Sequence, residues 1–422
     1  MSKKDTTYEV PIGPIHPALK EPFMIKFRLD GETIVDADPH PGMNHRGIEF
    51  MGMHRNPLKV IPLSERICGI CSIVHQHMYT SAVEHAAGIE PTNRARYIRT
   101  IMMELERIHS HVLWAGVAAH EIGFDTHLHF TWKIREKVMD LLEDISGNRV
   151  NYSMWTVGGV RRDIPPKMYR RDFSPKMYPK IQNTLEYYEK LYDKLEDIFL
   201  GDPSIRLRTR NIGILTEKEA LELCGVGPTV RASGVKKDVR IDQPYAAYGD
   251  LDLDYVIPSR FGYENTGDVF SKTLVRLKEI LQSIDLIRQC VKQMPDEDID
   301  SEPKKAALLN KLKKADGEGI GRIEAPRGEA LHYVRLKEGL EELDNWKVRA
   351  STYNNLATYA PMFLGEQIAD IPIIAACIDP CIGCMDRAEI VEINTGEKNS
   401  YSHEDLHKLS VRKTKDMLGD EL

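Results

Sequence analysis

The first sixty residues alternate between apolar and polar positions. Ile25, Phe27 and Leu29 are apolar at every second place, Asp30-Gly31 is a hairpin turn signal, and Thr33 to Ala37 resume the alternation. Further along, the period changes to three and four. Ile98, Ile101, Met102, Leu105, Ile108 and Val112 form the apolar face of an amphipathic helix. A second helix is predicted from about Thr131 to Ser146, with Gly147 as its C-terminal stop. A third carries Leu185, Tyr188, Leu191, Tyr192, Leu195 and Phe199, and a fourth carries Phe270, Leu274, Leu277, Leu281, Ile284 and Ile287. Pro165-Pro166 breaks the chain after Arg161-Arg162-Asp163. Segment 292–318, polar and Lys-rich with Pro295 and Pro303, reads as a surface excursion. Antiparallel strands are expected again around residues 329–349.

After Arg387 the pattern gives a short strand (Ile390, Val391, Ile393), a turn at Asn394-Thr395-Gly396 and a helix. Ser402 and Asp405 have capping-box spacing for that helix. There is no internal repeat. The fold class expected is mainly α with small antiparallel β elements (α+β): one helical core spanning 1–387, β-rich over 1–60, and a C-terminal extension over 388–422.

Composition adds exclusions. With 57 Lys and Arg against 64 Asp and Glu, the net charge is −7, so no basic field favours nucleic acid or anionic lipid. The apolar run Ile371–Ile378 is far short of the ~20 residues a membrane helix needs, and the start, MSKKDTTYEV, lacks the apolar core of a signal peptide. A cytoplasmic polypeptide is expected, with any membrane attachment made through partners.

The seven cysteines are unevenly placed. Cys68 and Cys71 form one CxxC pair, and Cys381 and Cys384 form another near the far end. Cys224, Cys290 and Cys377 stand apart and read as small buried hydrophobes. A CxxC turn presents two thiolates to one metal, and two turns supply four soft ligands. A structural zinc site with four cysteine ligands meets that description. So does an iron–sulfur cluster, although its ligands are usually spaced more compactly. Spacing alone leaves the choice open.

The local sequences Arg66-Ile67-Cys68-Gly69-Ile70-Cys71, followed by Ser72-Ile73-Val74-His75, and Asp379-Pro380-Cys381-Ile382-Gly383-Cys384 go further. The pairing of RxCGxCxxxH with DPCxxC resembles the two signatures of nickel–iron hydrogenase large subunits. Gly13-Pro14-Ile15-His16-Pro17, Asn44-His45-Arg46-Gly47-Ile48-Glu49 and Pro91–His111 resemble the membrane-bound, energy-converting subfamily related to the 49 kDa subunit of complex I. Ala325-Pro326-Arg327-Gly328 is similar to the family's PRG segment.

That resemblance implies a nickel–iron centre, with CO and cyanide on the iron, held by Cys68, Cys71, Cys381 and Cys384. The second cysteine of each pair, Cys71 and Cys384, would bridge the two metals. It implies further that His75 donates a hydrogen bond to a cysteine sulfur, that Glu21 relays protons, and that Arg327 lies over the centre. Ser351 would bond an iron cyanide. His75, Glu21 and Arg327 each have a plainer alternative: a packing histidine, a surface carboxylate beside Lys20, a surface arginine. The implied partners are an iron–sulfur small subunit, the membrane subunits of a complex-I-like assembly, and ferredoxin or a formate dehydrogenase module as electron source. The implied location is peripheral, on the cytoplasmic face of a membrane.

The chain departs from the family pattern twice. Arg387 stands where many members have a histidine that helps hold a structural magnesium or iron ion, so Glu49, its expected carboxylate partner, could pair with arginine instead. Arginine there recurs in the membrane-associated subfamily. In family members with an extension a protease removes it after the histidine or arginine, so the expected cut is Arg387–Ala388; the alternative is a permanent helical appendage that docks on a partner. Ser110, between His109 and His111, replaces an aspartate. Three rivals remain: a complex-I-like subunit, although such relatives lack the cysteine pairs, a sulfur-reducing relative, and a zinc-stapled scaffold.

Overall fold

Apolar alternation at the N-terminus produces a three-stranded antiparallel meander in the computed structural model, which describes residues 7–164, 177–385, 390–391, 398–399 and 403–419. Its strands are β1 (Tyr8–Ile12), β2 (Met24–Asp30) and β3 (Thr33–His40), paired in the order β1-β2-β3. Ile25, Phe27 and Leu29 are fully buried, as the alternation requires, and Gly31 turns the chain in the left-handed region.

The helical core follows: α1 (Ile48–Met53), α2 (Pro57–Glu65), α3 (Ser72–Ala87), α4 (Asn93–Glu121), α5 (Asp125–Ser146), α6 (Met177–Glu196), α7 (Val269–Gln293) and α8 (Lys305–Lys314). A second meander comprises β4 (Gly317–Ala325), β5 (Gly328–Leu336) and β6 (Asn345–Arg349). Short helices α9 (Ser351–Asn355), α10 (Ile371–Cys377) and α11 (Ile382–Met385) lead to the last cysteines, and α12 (His403–Leu418) ends the described tail. This is the expected α+β class. All four helices read from periodicity are present, and Gly147 stops α5 in the left-handed conformation.

Three features differ from the sequence reading. The polar stripe of α4 does not face solvent: Arg94, Arg99, Glu104, Glu106, Arg107, His109 and His111 are all buried. Arg94, Arg99, Glu104 and Arg107 form ion pairs there with Asp163, Glu84, Arg240 and Glu279 respectively, while Glu106 accepts from backbone amides of α3. Glu104 accepts from Ser283 of α7 at 2.6 Å, and Arg231 joins Glu279 of α7 at 2.6 Å to Glu324 of β4 at 2.7 Å. Segment 292–318 contains α8, which buries Leu308 and Leu312, and the start of β4. The helix α3 had no legible period because thirteen of its sixteen residues are buried, leaving no polar face. Pro165-Pro166, Arg387 with its expected cut, the turn Asn394-Thr395-Gly396 and Ser402 lie outside the described residues.

One contact orients the functional region. Strand β4 has glycine at 317, 319 and 321, all on one face, and that face lies against α3. A Cβ at these positions would run into the carbonyl oxygens of Ala86, Ala82 and Met78 respectively. The stripe of glycines therefore lets helix and strand backbones touch. It fixes the helix that begins after Cys71 against the strand that ends before Arg327.

We expect Gly319→Ala to break this contact. Over-packing a dense interior costs ~1–3 kcal/mol, so the variant should melt lower and bind less metal. Gly249→Ala, where the nearest atom to a Cβ is Pro244 Cβ at 3.5 Å, should match the parent. Equal melting of the Gly319 variant and the parent would show that α3 can shift freely.

Candidate metal centre

The two cysteine pairs meet although 313 residues separate Cys68 from Cys381. Cys68 lies between α2 and α3, and Cys71 stands at the N-cap of α3. Cys381 lies between α10 and α11, and Cys384 is in the single turn of α11. Two side chains hold the end of α10: Trp114 of α4 donates Nε1–H to Ala376 O at 2.8 Å, and Arg276 of α7 donates Nη2–H to Cys377 O at 2.8 Å. Arg46, in the loop before α1, ties the pairs together. Its Nη1 and Nη2 donate to Arg66 O at 3.1 Å and Ile67 O at 2.6 Å, and Nη2 also donates to Gly383 O at 2.7 Å.

All four thiols are free and buried. Cys381 Sγ lies 3.3 Å from Cys68 Sγ and 2.7 Å from Cys384 Sγ. Cys68, Cys381 and Cys384 form the one group of three potential metal ligands among the described residues. Cys71 stands beside them and accepts a 2.8 Å hydrogen bond from Arg327 Nη1. Hydrogen bonds from Cys381, Cys384 and Cys71 hold Cys68 well below the usual thiol range. Cys384 is pushed well above it, chiefly by burial, and Cys71 chiefly by its hydrogen bond to Cys68. Crowded sulfurs cannot all ionise unless added positive charge compensates them. A buried soft-donor set of this kind fits a thiophilic transition-metal centre.

Arg327 sits in the two-residue turn between β4 and β5, where Ala325 pairs with Gly328. Gly328 and Gly227 touch backbone to backbone, and both have positive φ. Arg327 is 4% exposed. Besides Cys71, it donates from Nε to Asp379 O at 2.7 Å and from Nη2 to Asp379 Oδ1 at 2.8 Å. Asp379 itself has φ 54°, a conformation aspartate tolerates better than most residues.

Glu21 lies along the second CxxC turn. Its Oε2 accepts from the N–H groups of Ile382 and Gly383, the latter at 3.1 Å, and Oε1 faces Asn44 Nδ2 at 3.5 Å. Burial raises its pKa, opposed most strongly by the Gly383 N–H. Glu21 and Arg327 line a cavity of about 470 Å³ together with Cys68 and Cys381; its apolar walls include Leu113, Trp114 and Val117. Lys20 is at the same cavity and pairs with Glu121, the last residue of α4.

His75 is buried, and its Nδ1 lies 3.1 Å from His332 Nε2. Trp346 Nε1–H, which can only donate, points at His332 Nδ1 at 3.3 Å. Neutral His332 therefore carries its proton on Nε2 and donates to His75 Nδ1, which leaves the proton of His75 on Nε2. Burial keeps both rings neutral, with His75 lowered to about 4.

Ser351 begins α9 and is buried, but its neighbour Thr352 makes the contact to the cysteine loop: Cys381 N–H donates to Thr352 Oγ1 at 3.1 Å. Glu49 on α1 accepts from Val348 N at 2.8 Å and lies 3.7 Å from Lys347 Nζ; no group of three potential ligands forms around it among the described residues. Sequence reasoning assigned no task to Arg46, Asp379, Thr352 or His332. The first two lie inside quoted motifs, but only the fold shows what they hold.

A helical core that gathers four buried thiols beside an arginine and a protonatable carboxyl has the donor set of a metal-binding subunit. The chain belongs to the family of complex I 49 kDa-like subunits and nickel–iron hydrogenase large subunits. The model of the respiratory-chain NADH dehydrogenase 49 Kd subunit matches residues 121–387, and that of the nickel-dependent hydrogenases matches residues 46–115. The chain is 46% identical over 419 residues to the membrane-bound hydrogenase subunit alpha of Pyrococcus furiosus, covering 99% of this chain and 96% of that one. It is 36% identical to the carbon monoxide-induced hydrogenase of Rhodospirillum rubrum, covering 90% and 100%. Among solved structures it resembles a chain of the membrane-bound sulfane sulfur reductase, an archaeal respiratory membrane complex. The TM-score there is 0.81 at 29% identity, covering 92% and 100%. No helix among the described residues is long and apolar enough to cross a membrane.

Glu65, the last residue of α2, is fully buried, and burial pushes its carboxyl from 4.5 up to about 7. A raised folded-state pKa contributes stability that is complete below the unfolded pKa and is lost as pH rises through about 7. Glu65→Gln should therefore gain stability relative to the parent between pH 5 and pH 8, by an amount on the order of 1–3 kcal/mol. Melting curves across that range check it; a constant difference would mean Glu65 does not titrate there.

Proposed function

We propose that this chain is the catalytic large subunit of a membrane-associated nickel–iron hydrogenase that interconverts dihydrogen with protons and electrons. The convergence of the four cysteines beside Glu21 and Arg327 carries the reading. Cys68, Cys71, Cys381 and Cys384 would hold the nickel, with Cys71 and Cys384 shared with an iron that carries CO and cyanide. When bound, the centre supplies the point at which dihydrogen is polarised and its electrons are exchanged.

The chain's own residues do the rest. Glu21 holds a proton beside the second cysteine pair, and its raised affinity suits a group that both takes and gives one. Arg327 spans Cys71 and Asp379, so its guanidinium is oriented and cannot swing away. His75 offers Nε2–H as a donor, which supports the role of hydrogen-bonding a sulfur. The walls formed by Leu113, Trp114 and Val117 suit a small apolar gas. Ser351 would face an iron cyanide, with Thr352 fixing the adjacent loop. Glu49 would serve a structural ion or pair with Arg387, and removal of the extension after Arg387 would complete maturation.

Cys224 is exposed, Cys290 and Cys377 are buried, and none of the three belongs to a ligand group among the described residues. Electrons would then leave through a partner iron–sulfur subunit. Membrane subunits of a complex-I-like assembly would anchor the pair at the cytoplasmic face, and ferredoxin or a formate dehydrogenase module would supply electrons. A second reading, sulfane sulfur reduction, is favoured by the likeness to the sulfur reductase over all of that chain.

The purified native complex should contain nickel and iron in near-equal amounts and evolve hydrogen, and Cys384→Ala should abolish both nickel binding and evolution. Zinc alone would sink the hydrogenase reading, and polysulfide reduction without hydrogen evolution would favour the second. Separately, Glu21→Gln should retain both metals yet lose roughly a hundredfold or more in hydrogen–deuterium exchange, the usual scale for a positioned acid–base group. Unaltered exchange would move the proton route elsewhere.

A further inference from the structure

Cys71 occupies the N-cap of α3, where a side chain ordinarily accepts from the N–H two or three residues on. Its thiol makes no such bond and instead accepts from Arg327. The first turn of α3 is buried, so unpaired N–H groups there would be costly. Two of them are taken from outside the helix. Ile73 N–H donates to Glu106 Oε1 at 2.7 Å, and Val74 N–H donates to Glu106 Oε2 at 3.0 Å. Glu106 belongs to α4 and is fully buried, and no lysine or arginine makes an ion pair with it among the described residues. Burying a carboxyl with no paired cation is expensive, and packing alone does not account for it. Its contacts do: both oxygens hold the two amides that a side chain at position 71 would otherwise cap.

We propose that Glu106 is a positioning residue of the metal centre, capping α3 from the neighbouring helix so that the sulfur of Cys71 stays available to metal. Serine or aspartate at position 71 could cap its own helix but would replace a soft ligand with a hard one. Delegating the cap to α4 separates the two tasks. It also makes α4 the element that seats both cysteine segments, Glu106 behind the first and Trp114 behind the second. The inference rests on Cys71 being a metal ligand, and not on the chemistry of hydrogen.

The test uses the full-length, metal-free chain with Glu106→Ala and Glu106→Gln. Amide hydrogen exchange is followed over residues 72–76, and cobalt(II) is titrated through its thiolate charge-transfer absorption. Losing a helix cap should speed exchange at Ile73 and Val74 roughly fivefold to tenfold in the alanine variant. Cobalt affinity should weaken by a similar factor, with glutamine intermediate because its amide has one acceptor oxygen. In a Cys71→Ser background, where the new hydroxyl can cap its own helix, Glu106→Ala should change exchange by no more than about twofold.

Unaltered exchange at Ile73 and Val74 overturns the proposal. So does faster exchange spread evenly along α3 and α4 with no relief from Cys71→Ser, which marks a general packing defect. A parent chain that binds no cobalt overturns the ligand assignment and this proposal with it. Absence of hydrogen turnover alone would count against the proposed function and leave the cap standing.

Discussion

Sulfur charge is the constraint around which this molecule is arranged. Four thiols crowd one buried volume, and three of them come within ligand-sharing distance of one another. Each ionised sulfur raises the cost of ionising the next. Arg327 is the cation that touches this group directly, through Cys71. Arg46 lies against the same loops but spends its donors on carbonyl oxygens at Arg66, Ile67 and Gly383. One arginine thus answers charge and the other geometry. A single guanidinium cannot balance four thiolates, which is why the donor set fits a site that bound metal cations complete.

Keeping Arg327 in place recruits much of the core. The hairpin that carries it is held from below by Arg107, whose guanidinium donates to Glu324 O at 2.7 Å and Ala325 O at 3.3 Å. Arg107 is itself neutralised by Glu104 and Glu279, and Arg231 ties Glu279 to Glu324. Buried ion pairs of this kind add little net stability compared with apolar packing, because desolvation offsets most of the attraction. They do restrict the number of ways in which α4, α7 and β4 can sit together. Combined with the glycine stripe of β4 against α3, they allow the arginine and the first cysteine pair few relative positions.

Much of this was legible in the chain, unevenly. Period-two and period-three patterns located β2, α5, α6 and α7 because each has a wet side and a dry side. They were silent on α3, which has no wet side. They located α4 by its apolar face but gave no sign that its charged residues are buried as well. The four cysteines and Arg327 could be named from spacing and resemblance, since each lies inside a short motif. Thr352 and His332 could not: one acts on a backbone amide and the other on a ring nitrogen, and neither interaction leaves a periodic or spaced signal. Ser351 and Thr352 are adjacent and both buried, and only the fold shows that Thr352 makes the bond to the cysteine loop.

The protonatable groups around the thiols divide by the side they occupy. On the side of the second cysteine pair, Glu21 borders a cavity and has its proton affinity raised but not fixed, since two backbone donors oppose burial. On the side of α3, His75 and His332 are held neutral by burial, and the indole of Trp346 dictates which nitrogen bears each proton. A group that must exchange protons has to keep both charge states accessible, and a group that must orient a donor has to lose that freedom. Glu21 meets the first requirement and the histidine pair meets the second. Proton traffic would therefore run through the cavity face, while the α3 face stays fixed and presents one oriented N–H. That separation would let the centre change charge without loosening the side that positions it.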